Sequence, residues 1–504
     1  MSWTHVLPRV LRIAAGWIAL STALAADLWV VDPVGLTPAE QTLLASLQGQ
    51  LNQTEARLWV RGRSAYARVL EELRNEGWTL KSASLWDVVA ATQRIGSRFL
   101  TCDVRTESLN VATSLAGPRR ALIADFSLRD RLTALGMVEH LDVRPLTEAE
   151  AWKEFRSEFR RELVVHQPVA KTLHLRDFAV AQSAYTFFDG SSASQIQRFQ
   201  DSGPAARVFG WGRDEHEFVQ DVSRGSGVVI PSDWALNLSA LPHLTAPIPL
   251  RPQRPTPAPL QPGERVVAFV VTDGDNVQWL LNGFTDSPGF WGSPLRGNFA
   301  VTWELAPTLA ELAPRVLAYL YRSATPQDDF VAGPSGVGYY FPSQSPIRTE
   351  LAAKTARSLG PAQLQAVSLL NSGGGLEAAN EVVQQPQVSG VLFKDYAPYH
   401  RYAGSVRWHA GKPIISYRFL LWEQKRSDGS LRPDWLPEGV AQAIAKLPAE
   451  STDRFSLVNV HAWSFRDSGG PMGAIRRTID QLPPRTRVVT ATEFLQLLPR
   501  GPAP

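Results

Sequence analysis

Residues 266–279 read VVAFVVTDGDNVQW. A valine-rich apolar run stops at Thr272-Asp273-Gly274-Asp275-Asn276, so two carboxyl groups and an amide stand where a buried strand ends. Carboxylates recur at the ends of later apolar runs: Glu304 after Trp303, Asp395 after Lys394, and Glu423 after Trp422. These five, Asp273, Asp275, Asp395, Glu423 and Glu304, are the candidate acids, bases or nucleophiles. Cleavage between two sugars needs such carboxyls in pairs, one to protonate the leaving oxygen and one to act on the opposite face. Asp273 and Asp275 are too close in sequence to flank a sugar ring, because residues two apart in an extended segment point to one side. One of them is expected to pair with Asp395, Glu423 or Glu304 from another strand end.

The same strand ends carry groups suited to binding hydroxyls and sugar faces. Asn276, Asn371, Arg418 and His461 could hydrogen-bond a substrate or tune an acid. Trp303, Tyr339, Tyr340, Trp422 and Trp463 offer aromatic faces. Gly336 and Gly338 would let a backbone approach a ligand closely. Each has a structural alternative. Asp275 and Asn276 could cap a helix over 277–281, Glu304 could begin a helix, and Asp395 could pair with Lys394. His461 could be a satisfied core histidine and the two glycines only a turn. Farther back, Gly212-Arg213-Asp214-Glu215-His216-Glu217 reads as a solvated loop. Its alternative is a rim over the site that contributes Glu215 or Asp233.

Elements at regular spacing must bring these residues together. Apolar, β-branched runs recur at 266–272, 299–303, 330–333, 366–370, 388–394, 414–421, 455–460 and 488–490. Helical patterns such as 313–323 and 440–447 fill most of the gaps. Eight strands at about 30 residues per βα unit predict a C-terminal (β/α)8-like, TIM-type barrel, whose chemistry sits at the C-terminal strand ends. The short last run leaves a seven-stranded or incomplete barrel as the neighbouring solution. Before it, strand-like and helix-like patterns alternate. Runs at 28–32, 57–60, 99–103, 121–125 and 228–231 predict a smaller α/β domain with a parallel sheet. Thr37-Pro38-Ala39-Glu40 is a helix start, with Thr as N-cap, Pro at the first position and Glu at the third.

Proline recurs through 245–264, TAPIPLRPQRPTPAPLQPGE, which predicts a stiff linker. The expected organisation is a signal peptide at 1–25, an α/β domain at 26–244, the linker at 245–264, and the barrel as catalytic domain at 265–500. The leader reading rests on Arg9 and Arg12, the apolar run 13–24 and the small residues around Ala25-Ala26. It predicts export to the periplasm or the medium. No later stretch is long and apolar enough to span a bilayer.

The 504 residues carry a net charge of +3, and 51 Lys and Arg are scattered without a basic block, which argues against a nucleic-acid partner. A single cysteine, Cys102, excludes an intramolecular disulfide and suits a buried apolar position.

Gly336-Val337-Gly338-Tyr339-Tyr340-Phe341-Pro342 matches the pattern Gly-x-Gly-Tyr-x-Tyr-Pro, with Phe341 where the pattern has a second Tyr. Around it stand Asp273-Gly274-Asp275-Asn276, Gly333-Pro334-Ser335, Asn459-Val460-His461-Ala462-Trp463, and, earlier, Pro231-Ser232-Asp233-Trp234 with Asn237-Leu238-Ser239. On these residues the chain resembles the GxGYxYP family, which carries a glycoside-hydrolase label. The resemblance implies an α/β domain ahead of a barrel and an oligo- or polysaccharide substrate. Two further readings stay open. One is a metal-dependent carbohydrate deacetylase, with Asp273 or Asp275 as base or ligand and His461 as acid. The other is a carbohydrate-binding protein without catalysis. No cofactor is called for. A zinc site is not expected, since His400 and His409 are nine residues apart; a hard divalent cation at Asp275, Asn276 and Asp395 is the metal alternative.

Overall fold

The computed structural model describes residues 27–92, 97–188, 191–251 and 256–499. The leader expected at 1–25 lies outside the described residues, as do residues 252–255 of the proline-rich stretch.

The first half holds three small parallel sheets instead of the one expected. β1 (Asp27–Val31) sits between β2 (Leu58–Val60) and β3 (Thr79–Ala83). β4 (Arg98–Cys102) sits between β5 (Leu122–Asp125) and β6 (Val138–Asp142). Then β7 (Leu163–His166), β8 (Tyr185–Phe187), β9 (Ala206–Gly210) and β10 (Gly227–Ile230) form a sheet in the order β10-β9-β7-β8. The helix after β1 starts where the sequence predicts. The Thr37 side chain accepts from the Glu40 amide, and the Glu40 carboxylate accepts from the Thr37 amide. Cys102 is buried on β4.

All eight runs predicted in the second half fall in one large sheet. It contains β11 (Arg265–Val271), β12 (Val301–Leu305), β13 (Asp328–Ala332), β14 (Ala366–Asn371), β15 (Gly390–Asp395), β16 (Val406–His409), β17 (Lys412–Ser416), β18 (Phe419–Leu421), β19 (Phe455–Val460) and β20 (Thr486–Val489). The order is β16-β17-β15-β14-β13-β12-β11-β19-β18, with β20 paired to β11. Every pairing is parallel except β16 with β17, an antiparallel ribbon that the sequence reading missed.

The sheet curls into a half-barrel. The predicted sixth run, 414–421, divides into β17 and β18 around Tyr417 and Arg418. The Tyr417 amide donates to the Phe393 carbonyl on β15 (3.2 Å), and the Arg418 amide donates to the Leu457 carbonyl on β19 (2.9 Å). The strand is thus handed from one neighbour to another, which bends the sheet back toward its start. The regular eight-strand ring is not what the pairing shows. β11 pairs directly with β19 over six residues, and β20 lies beside only the first half of β11.

One hydrophobic core draws on both halves. Trp59, Tyr66 and Leu238 belong to the same buried cluster as Trp279, Trp291 and Trp303. Ion pairs follow the same seam. Arg315, itself buried, grips Glu76 with both terminal nitrogens at 2.6 Å, and Arg207 meets Glu311 at 2.9 Å. Among the described residues no helix is long and apolar enough to cross a membrane.

Candidate active site

β11 ends in a turn shaped for close contact with β12. A Cβ on Gly274 would stand 1.7 Å from the Glu304 carbonyl oxygen, so only glycine lets the turn pass there. Asp273 before it is held at φ 71°, a conformation that a side chain rarely adopts. Three bonds hold it. Its amide donates to Glu304 Oε2 (3.0 Å), Thr272 Oγ1 donates to its Oδ2 (2.8 Å), and Trp463 Nε1 donates to its Oδ1 (3.2 Å). Capping of the next helix, Val277–Asn282, falls to Asn276, whose Oδ1 accepts from the Trp279 amide (3.1 Å). The Asp275 carboxyl is left for the interior. It is 8% exposed. Burial pushes it well above the usual carboxylate range, and Asp273 and Glu304 push further, against the pull of Lys394.

These residues open on a cavity of about 230 Å³. Thr272, Pro334, Leu370, Lys394 and Trp463 line it from the C-terminal ends of β11, β13, β14, β15 and β19. Trp211, Glu215 and Pro231 line it from just past β9 and β10. The β7–β10 sheet and the parallel strands of the large sheet therefore aim their C-terminal ends at one space, where such strands commonly bind ligands.

Glu215 is the carboxyl that the first half contributes. It opens the Glu215–Arg224 helix, where Asp214 caps by accepting from the Glu217 amide (2.9 Å). Its Oε1 accepts from the Tyr339 hydroxyl (2.9 Å). Burial raises the Glu215 carboxyl above its ordinary value; the Tyr339 bond pulls it down and the Asp273 charge pushes it up. Tyr339 in turn stacks beside Trp211 at 6.3 Å.

Of the predicted binding residues, Asn276, Tyr339 and Trp463 line the cavity with Asp273 and Asp275. Gly336 and Gly338 do not line it; the Gly-x-Gly-Tyr segment brings Tyr339 to the cavity by bridging the two halves. Val229 and Tyr339 exchange amide-to-carbonyl bonds of 2.9 Å in each direction, an antiparallel bridge onto β10. Gly336, at φ 104°, passes so close to Thr355 that a Cβ would lie 2.3 Å from its methyl. Gly338 leads directly into the bridge. Tyr340 points away into a small buried cluster with Ala205, Val228 and Leu351. Phe341 is buried edge-on to Tyr339 (5.6 Å) and Tyr396 (5.9 Å), so an apolar edge suffices where the family pattern has a hydroxyl.

Several of the predicted site residues stand outside the cavity lining. Glu304 is 1% exposed and paired with Lys394 at 2.7 Å; it supports the Asp273 turn from beneath and does not line the cavity. Trp303 faces the other way on β12, donates to Asp328 (2.9 Å), and packs against Phe284 and Trp291. Asp395 pairs with Arg401 (3.0 Å), not with Lys394. With Asn276 committed to its cap, the cation site of Asp275, Asn276 and Asp395 is not assembled. Glu423 accepts from the Phe465 amide, and Asn371 Oδ1 accepts from the Ser343 amide (3.0 Å) and hydroxyl (2.8 Å). Arg418 pairs with Asp453 (3.1 Å). Trp422 stacks on Tyr399 (5.5 Å) and His461 (4.3 Å), backing the wall without lining it. His461 Nδ1 lies 3.0 Å from the Ser464 hydroxyl, and burial lowers its pKa, with Asp273 opposing. A histidine held below its usual range carries the extra proton less readily, which weighs against the acid role given to it in the deacetylase reading. Asp233, offered with Glu215 as a rim residue, is tied to Lys171.

Comparison with known proteins is consistent with this arrangement. A solved structure of a "putative hydrolase" from Bacteroides thetaiotaomicron VPI-5482 is 25% identical over 94% of each chain, with a TM-score of 0.84. No curated protein matches the chain. Residues 264–499 match the "GxGYxYP putative glycoside hydrolase C-terminal domain", and residues 161–243 match the "GxGYxYP third domain". The two matches come from one family and together span more than half of the sequence: the chain belongs to the GxGYxYP family.

Proposed function

We propose that the protein is a glycoside hydrolase that cleaves an oligo- or polysaccharide in this cavity, with Glu215 as general acid and Asp273 as base or nucleophile. The observation that carries this reading is the entry of these two carboxyls into one aromatic-walled space from different halves of the chain. Glycoside cleavage asks for that placement. The curled sheet reads as a TIM-like barrel with seven staves, its seam at Tyr417 and Arg418, and the cavity at its mouth.

In the reaction, burial raises the Glu215 carboxyl above its ordinary value, the direction a general acid needs, and Tyr339 fixes its oxygen. Glu215 gives its proton to the glycosidic oxygen as the bond to the anomeric carbon breaks. Asp273, held by Trp463, Thr272 and its own tethered backbone, attacks that carbon or takes a proton from the attacking water. The Lys394–Glu304 pair keeps the turn in place. The leader-like pattern read in the sequence at 1–25 favours an exported enzyme, acting where polysaccharides are met.

Hydrolysis of a panel of aryl glycosides and oligosaccharides by wild type, Glu215→Gln and Asp273→Asn tests the assignment. Each substitution is expected to lower kcat by about 10²–10⁴-fold on a turned-over substrate. Full activity in both variants would refute the pair.

A further inference from the structure

We infer that the sugar bound in this cavity carries a free amino group, recognised as an ammonium by Asp275; the inference rests on the carbohydrate reading above. Three carboxyls, Glu215, Asp273 and Asp275, line the cavity, and the hydrolytic chemistry uses two. Lys394, the one cation among the lining residues, is already joined to Glu304 at 2.7 Å. Asp275 is 8% exposed and, among the described residues, no donor hydrogen-bonds its carboxyl. Asp273 and Glu304 repel its charge and only Lys394, already joined to Glu304, draws it, so its charge is poorly compensated in the empty protein, and a ligand that brings a positive charge relieves it. Trp211, Tyr339, Tyr399 and Trp463 also line the space, and aromatic faces attract an ammonium further. A metal ion is the weaker occupant: among the described residues no group of three His, Cys, Asp or Glu side chains is gathered to hold one. An N-acetylated sugar has no charge to offer and would seal Asp275 in without a counterion.

Binding of D-glucosamine, D-glucose, N-acetyl-D-glucosamine and methylammonium to the protein, followed by calorimetry or ligand-observed NMR below the amine's own pKa, tests this. D-glucosamine is expected to bind at least about tenfold tighter than either neutral sugar, as a close charge pair allows. Asp275→Asn should bring that ratio near one. Equal affinities in wild type, or an unchanged ratio in a folded Asp275→Asn, overturn the inference. Turnover of neutral glycosides with no amine preference rejects the amino sugar and leaves the hydrolase reading standing. Methylammonium binding as tightly as D-glucosamine, with no sugar bound, rejects both. If Asp275→Asn does not fold, the wild-type series alone decides.

Discussion

The Tyr339 hydroxyl donates to Glu215 from 2.9 Å, and that bond favours the charged carboxylate while burial opposes it. Removing the hydroxyl removes the pull downward, so the acid stays protonated to higher pH. Tyr339→Phe is therefore expected to move the alkaline limb of kcat/KM upward in pH, and a limb that stays or moves down would contradict the acid role of Glu215. Lys394 makes a second residue-scale prediction. Lys394→Met leaves Glu304 buried and unpaired beneath the Asp273 turn, and should destabilise the fold by about 3–5 kcal/mol in denaturant titration. Lys394→Met with Glu304→Gln should recover most of that loss. The sequence showed Asp273 and Asp275 because a strand ended in them. It hid Lys394 because Asp395, its chain neighbour, was the obvious partner. Adjacent residues on a strand face opposite ways, so Lys394 turns inward to Glu304 and Asp395 outward to Arg401. The same alternation put Glu304 under the site and Trp303 in the core.

At the scale of elements, the family motif works as a joint. Gly336 carries a positive φ and no room for a side chain, and the segment after it pairs Tyr339 with Val229. Gly336→Ala is expected to cost about 1–3 kcal/mol through backbone strain, read as a lower denaturation midpoint. It should also weaken activity, because the Tyr339 hydroxyl travels with the segment. An Ala variant as stable as wild type would show that the joint tolerates another path. Nine of the ten strands of the large sheet lie in the eight apolar runs, since burial on both faces leaves that mark, and only β16 at its edge was missed. The break at Tyr417 and Arg418 was not visible, because both residues continue the run and only the change of hydrogen-bonding neighbour marks it. In the first half β3, β6, β7, β8 and β9 went unread, because strands of three to five residues give a period little room to stand out.

For the whole molecule, the two halves share one core and one cavity. Trp59 and Tyr66 pack in the cluster that holds Trp279 and Trp303, and Arg315 ties the halves through Glu76. A single cooperative transition in scanning calorimetry is the expected result; two well-separated transitions would mean that the shared core contributes little. This scale was the least legible. The proline-rich stretch marked where the halves divide along the chain, but nothing local records which surfaces meet. Glu215 accordingly entered the sequence reading only as an alternative to a solvated loop. The bridge at Val229 has one more consequence. β10 is the outer strand of its sheet, and Gly227–Ile230 are buried and apolar. Tyr339 is what covers that edge. A chain cut short after the first half would present it bare, as a template for pairing with copies of itself. The segment that completes the pocket thus also keeps the protein from sticking to its own kind, and fragments ending near residue 243 should be recovered mainly as aggregate.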